Sequence, residues 1–159
     1  MREQSDMYGR LTLQLTDRGG GVVARRVYRN RIVRTGRLLV AQMFGGAPDG
    51  ATLPVISHIA VGIGGAPTDD DQTALISERS PRKPVEDPVY TDLAEGDVKR
   101  IRVGLTASFD FGEANGPEPL QEAGLFNAAA DGVMYNRVVF EPVTKTDAFK
   151  LTLLWEVVF

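Results

Sequence analysis

The sequence predicts a mainly β protein: one antiparallel β-sandwich of about seven to eight strands, with one short helix packed at the edge. Three observations lead there. Apolar residues alternate with polar ones over several separate stretches, the period of a strand with one buried face. Glycine and proline, 17 and 9 of 159 residues, fall mostly between those stretches. Only one segment carries helical spacing. A chain of this length builds one core, and residues 1–159 read as a single domain.

Leu11–Thr16 opens the series, with leucines at odd positions and polar residues at even ones. Asp17–Gly21 is a turn, and Val22–Tyr28 returns as the second strand of an arginine-rich hairpin. The helix is expected over Thr35–Phe44, with Thr35 as N-cap and Gly45-Gly46 as stop. Ala47–Pro54 reads as loop. Ile56–Gly65 is a short β run closed by glycines. Thr68 and Asp71 have capping-box spacing ahead of a short helical turn at Thr73–Ile76.

Pro81, Pro84 and Pro88 exclude regular pairing between Ser80 and Gly96, which is therefore expected to be an extended arm or loop. The clearest alternation follows: Ile101, Val103, Leu105, Ala107, Phe109 and Phe111 on one face of a single strand. Glu113–Pro119 is a turn. Leu120–Phe126 and Val133–Phe140 form a pair, with Asp131-Gly132 as the hairpin signal. The last strand places Leu151, Leu153, Trp155, Val157 and Phe159 on one face, which pins the chain's last residues into the sheet.

Charge is spread unevenly. Residues 1–37 carry nine arginines and three acids, a net of +6; residues 38–159 carry a net of −9. A polar molecule of this kind suits a nucleic-acid surface or two complementary faces for assembly. Tyr28 is the one aromatic residue among Arg25, Arg26, Arg29, Arg31, Arg34 and Arg37, too few for a base-stacking platform. The acidic remainder would repel a phosphate backbone. Assembly accounts for the charges better, with the first five of those arginines and Pro81, Pro84 and Pro88 as contact elements.

Chemistry has little to work with. There is no cysteine, so neither a disulfide nor a thiolate site forms, and one histidine, His58, rules out a histidine-rich metal centre. Gly62, Gly64 and Gly65 lack the Lys-Ser/Thr of a phosphate loop and read as a strand-end turn that needs positive φ. Asp69–Asp71 lacks the spacing of a calcium loop. Glu113, Glu118 and Glu122 could supply a glycosidase pair, but two of them sit in a turn rich in glycine and proline. Ser57 is expected on the opposite face from His58, which leaves that imidazole without a catalytic partner. Arg137 stands among apolar neighbours and needs a carboxylate, from Glu122 or Glu113. No catalytic residue, cofactor or metal is assigned.

Several short blocks follow one another in a set order: Asn30-Arg31-Ile32-Val33 with Gly36-Arg37-Leu38-Leu39, Ile59–Gly64 with Pro67-Thr68, and Asp71–Leu75 with Glu78. After the long alternating strand come Gln121–Phe126 and Met134–Phe140. In this order of blocks, from Asn30 to Phe159, the chain resembles small structural proteins of tailed bacteriophages and phage-tail-like contractile particles. The resemblance implies a virion protein of the tail, baseplate or fibre-attachment region, built from copies of itself and neighbouring tail proteins, with no enzymatic activity and no cofactor. Gly62, Gly64, Glu122, Gly124, Arg137 and Trp155 are then structural residues. With no long apolar run and no leader-like start, assembly in the host cytoplasm is expected. The alternatives are a carbohydrate- or receptor-binding module at a tail tip, drawing on Tyr8, Tyr28, Tyr90, Tyr135 and Trp155, or a neck, collar or capsid-associated protein.

Overall fold

A computed structural model describes residues 7–159. It has ten strands: β1 (Tyr8–Asp17), β2 (Val22–Arg29), β3 (Arg31–Ile32), β4 (His58–Gly62), β5 (Glu78–Pro84), β6 (Val89–Glu95), β7 (Val98–Phe109), β8 (Leu120–Phe126), β9 (Met134–Val143) and β10 (Phe149–Val158). One helix, α1 (Arg34–Gly45), and one 3-10 turn, Pro48–Gly50, complete the described elements. The strands form two antiparallel sheets of five, ordered β2-β1-β10-β7-β6 and β3-β9-β8-β4-β5. This is the mainly β architecture that the alternation predicts, with more strands than the seven or eight expected.

The three additional strands are β3, β5 and β6. The last two lie in the segment expected to be an unpaired arm. The proline argument holds for a central strand, but β5 and β6 are both edge strands. β5 also bulges. Ile59 faces Lys83 and Val61 faces Arg79, so Ser80, Pro81 and Arg82 together stand opposite Ala60. Ser80 takes φ 67° there. Pro84 closes β5 opposite His58, and Pro88 sits in the crossing from one sheet to the other.

The two sheets share one core. Leu11, Leu13 and Leu15 of β1, Leu105, Ala107 and Phe109 of β7, and Leu151, Leu153, Trp155 and Val157 of β10 meet Ile59, Val61, Leu125 and Val138 of the other sheet. Period two places each set on one face. The long strand β7 starts earlier and ends earlier than expected. Ile101 is exposed, and Phe111 falls in the turn after Phe109, beneath the Arg18 guanidinium. The hairpin after β1 is held by Asp17, whose Oδ1 accepts from Gly19 N and Gly21 N. Asp131 and Gly132 both take positive φ, the conformation that an Asp-Gly hairpin signal requires.

Helix α1 sits against β9. Its N-cap is Val33 rather than Thr35; Thr35 Oγ1 donates instead to Met134 O at 2.7 Å. Tertiary contact thus overrides the local capping preference. Gly36 allows the approach, since a Cβ there would lie 2.0 Å from Tyr135 O. No helix forms at Thr73–Ile76: Asp69–Gln72 is a turn, with Gln72 N donating to Asp69 O. Among the described residues, no helix is long and apolar enough to cross a membrane.

Candidate functional site

The most connected polar centre joins β8 and β9. Gly124 pairs with Arg137 in the β8–β9 ladder, and Glu122 lies two residues earlier on β8. Glu122 and Arg137 have no exposed side-chain surface, and Arg137 Nε donates to Glu122 Oε2 at 2.8 Å. Glu113, the other candidate partner, binds Lys83 Nζ at 2.9 Å instead. Each Glu122 oxygen accepts twice. Oε1 takes Gly64 N at 3.0 Å and Ser77 N at 2.8 Å; Oε2 takes Ile76 N at 3.0 Å as well as the guanidinium. Arg137 Nη1 donates to Ala66 O at 2.9 Å and to Thr68 Oγ1 at 3.2 Å, and Nη2 donates to Gly64 O at 3.1 Å. A buried ion pair is stable only when such additional bonds offset its desolvation.

These bonds converge on the segment between β4 and β5. Its ends close on each other, with Ile63 N donating to Ser77 O at 2.9 Å. Arginines grip it from outside as well. Arg31 Nη1 donates to Thr68 O at 3.1 Å, and Arg37 Nη2 meets Asp70 Oδ2 at 2.7 Å. The hydrogen bond from Arg37 holds the Asp70 carboxyl below the usual carboxylate range. A loop rich in Gly, Thr and Asp is thereby fixed from both sides.

The glycines here serve contact rather than unusual dihedrals. Gly62, Gly64 and Gly65 do not have positive φ, which corrects the turn reading. A Cβ on Gly62 would lie 2.4 Å from Ser77 O and 2.5 Å from Glu122 Oε1, and one on Gly64 would lie 2.5 Å from Ile76 Cβ. Gly124 faces Asn136 O in the same way, at 2.9 Å, beside a register shift in the β8–β9 ladder. Gly62→Ala is therefore expected to cost about 1–3 kcal/mol through overpacking. Urea unfolding checks this: a midpoint and slope equal to wild type would show that the loop yields freely.

The candidate catalytic groups do not converge. Glu113, Glu118 and Glu122 each end on a different cation: Lys83, Arg79 and Arg137. Asp70 is held by arginines, and Asp69 Oδ1 accepts from Asp71 N at 2.8 Å. Ser57 Oγ and His58 Nδ1 lie 2.8 Å apart, contrary to the opposite-face expectation, because Ser57 precedes β4 and escapes its alternation. No group of three or more His, Cys, Asp or Glu able to hold a metal occurs among the described residues. Compared with family models, curated proteins and solved structures, the chain matches none.

The basic surface divides in two. Arg26 Nη1 donates to Glu141 O at 2.9 Å and Arg31 to the loop, so both have structural work. Arg25, Arg29 and Arg34 are exposed and make no side-chain hydrogen bond or ion pair among the described residues. Arg25 and Arg29 lie on the edge strand β2.

Trp155 is 0% exposed at the centre of β10, so it offers no sugar-stacking face. Tyr135 lines an apolar cavity of about 220 Å³ together with Leu39, Val103, Leu125 and Val157. Burial pushes its phenol up to about 12, and its hydroxyl has no partner among the described residues. Tyr135→Phe removes that buried group and is expected to raise stability by about 1 kcal/mol. A loss of similar size in urea unfolding would show that the hydroxyl is bonded.

Sequence reading missed two cations. Arg82 stacks 3.6 Å from the Phe126 ring and donates to Ala128 O and Asp131 O, which fixes the β8–β9 loop. Lys145, fully buried, donates to Asp110 O, Asn115 Oδ1 and Thr146 O. Arg82 is also paired with Glu78 at 2.7 Å, four residues earlier, but its stacking on Phe126 and the carbonyls that it and Lys145 reach at Ala128, Asp131 and Asp110 lie far away in sequence and leave no local signal.

Proposed function

We propose that this chain is a virion structural protein of a tailed phage or phage-like contractile particle. It acts as an oligomeric adaptor in the baseplate, fibre-attachment or tail region, is assembled in the host cytoplasm, and performs no catalysis. The finer fold reading is a β-sandwich whose faces and edges are contact surfaces. One observation carries this. Of the sequence blocks behind the family resemblance, which runs from Asn30 to Phe159, those between Ile59 and Phe140 are the neighbouring strands β4, β8 and β9 and the loop beside them, and the first, Asn30–Leu39, supplies β3 against β9 and the start of α1. Strands β8 and β9 and that loop share the Glu122–Arg137 centre. Residues spent on fixing a loop and a sheet fit a rigid scaffold better than a reactive cleft.

The test is location. Gold-labelled antibody against the chain, applied to tail particles purified from cells that carry its gene, is expected to decorate one fixed level of the tail or baseplate. Particles without the chain, with all of it recovered as free protein, would contradict the proposal. Specific glycan binding by a free monomer would favour the receptor-module alternative.

A further inference from the structure

The two edges of the β2-β1-β10-β7-β6 sheet carry opposite charge. β2 holds Arg25, Arg26 and Arg29 and no acid; β6 holds no base and two acids, of which Glu95 is paired within the chain to Arg100 at 2.8 Å and Asp92 carries the edge's unpaired charge among the described residues. The flanking sequence extends the contrast. Val22–Arg37 contains six arginines and no acid, whereas Val85–Asp97 contains five acids and no base. Arg25 and Arg29 on β2, and Asp92 on β6, make no side-chain hydrogen bond or ion pair among the described residues.

Both edges are open. Each strand has one neighbour in the sheet, and neither has a further backbone partner among the described residues. Each also exposes apolar side chains: Val23 and Val27 on β2, Val89 and Tyr90 on β6, the last 69% exposed. Open strands of this kind recruit another strand unless something prevents it.

We infer that β2 of one copy docks against β6 of the next, joining copies head to tail through this sheet. The inference rests on the self-assembly reading above and names its contact. Charge selects this pairing over the symmetric ones. A two-fold contact would set β2 against β2, three arginines facing three arginines, or β6 against β6, acid facing acid; like charges across a strand pair are destabilising. Strand direction agrees. Every neighbouring pair in the sheet is antiparallel, so with five strands β2 and β6 run the same way. Copies related by rotation about an axis along the strands then meet with those two strands parallel. A head-to-tail contact closes into a ring when the rotation closes.

Complementary charge reversal tests this. Arg25→Glu/Arg29→Glu makes the β2 edge acidic; Thr91→Lys/Asp92→Lys makes the β6 edge basic. Size-exclusion chromatography with light scattering is run on wild type, each variant alone and an equal mixture, with thermal melts to confirm folding. Wild type is expected to give a discrete oligomer and each variant alone a monomer. The mixture should return oligomers in which the two variants alternate, of the wild-type size when that copy number is even and of a different, even size when it is odd, since each altered edge then meets its opposite. A wild-type oligomer that both variants keep would overturn the edge contact and leave assembly standing. Loss in each variant without rescue in the mixture would also overturn it. A wild type that stays monomeric would overturn the edge contact and the assembly reading together.

Discussion

Arg137→Met is expected to lower the unfolding free energy by roughly 3–5 kcal/mol, the usual cost of breaking a buried ion pair from one side. Glu122 would remain fully buried, with its charge opposed only by the Gly64, Ile76 and Ser77 amides. The carbonyls of Gly64 and Ala66 would lose their donor. Glu122→Leu/Arg137→Met should recover part of the loss, because no isolated charge is left. Recovery stays incomplete, since three loop amides still lack an acceptor. Equilibrium urea unfolding of both single variants and the double variant gives the coupling energy. Hydrogen exchange should rise at Gly64, Ile76 and Ser77 before the rest of the sheet. A loss under about 1 kcal/mol for Arg137→Met would contradict the central place given to this pair.

Trp155→Ala is expected to cost about 3–5 kcal/mol. Trp155 pairs with Leu11 on one side and Leu105 on the other, midway across its sheet, and is completely buried. Its removal leaves a cavity where the two sheets meet, and neighbouring strands fixed by ladder bonds cannot close it fully. Thermal unfolding should show a large fall in midpoint with the β content retained at low temperature. A change within about 0.5 kcal/mol would place Trp155 outside the core.

The fold was legible where one face of a strand is buried. β1, β7 and β10 announce themselves because alternate residues must leave water while their neighbours stay in it. The proline-bearing segment was misread for a physical reason. Loss of a backbone donor forbids a central strand but costs little at an edge, and sequence does not say which strands are edges. The bulge that takes up Pro81 depends on Ser80 at positive φ, which no composition rule points to.

The site was legible in part. A cation inside an apolar strand signals a buried carboxylate, so Arg137 could be singled out, and two candidates remained until the fold placed Glu122 beside it. The glycines around it were visible as backbone specials, but the cause is close approach by Ser77, Ile76 and Glu122. That cause requires knowing which segments cross. Part of the charge split between residues 1–37 and the remainder of the sequence is seen, in the structure, as a basic edge at β2 and an acidic edge at β6 of one sheet.

Native mass spectrometry of the purified chain tests assembly most directly. At tens of micromolar protein and low ionic strength, the spectrum is expected to show one discrete multiple of the 17.3 kDa chain. Because the proposed contact is between exposed charges, that species should dissociate when the protein is sprayed after equilibration at high salt, where screening shortens charge interactions to a few ångströms. A spectrum of monomers alone at every concentration and ionic strength would contradict the account.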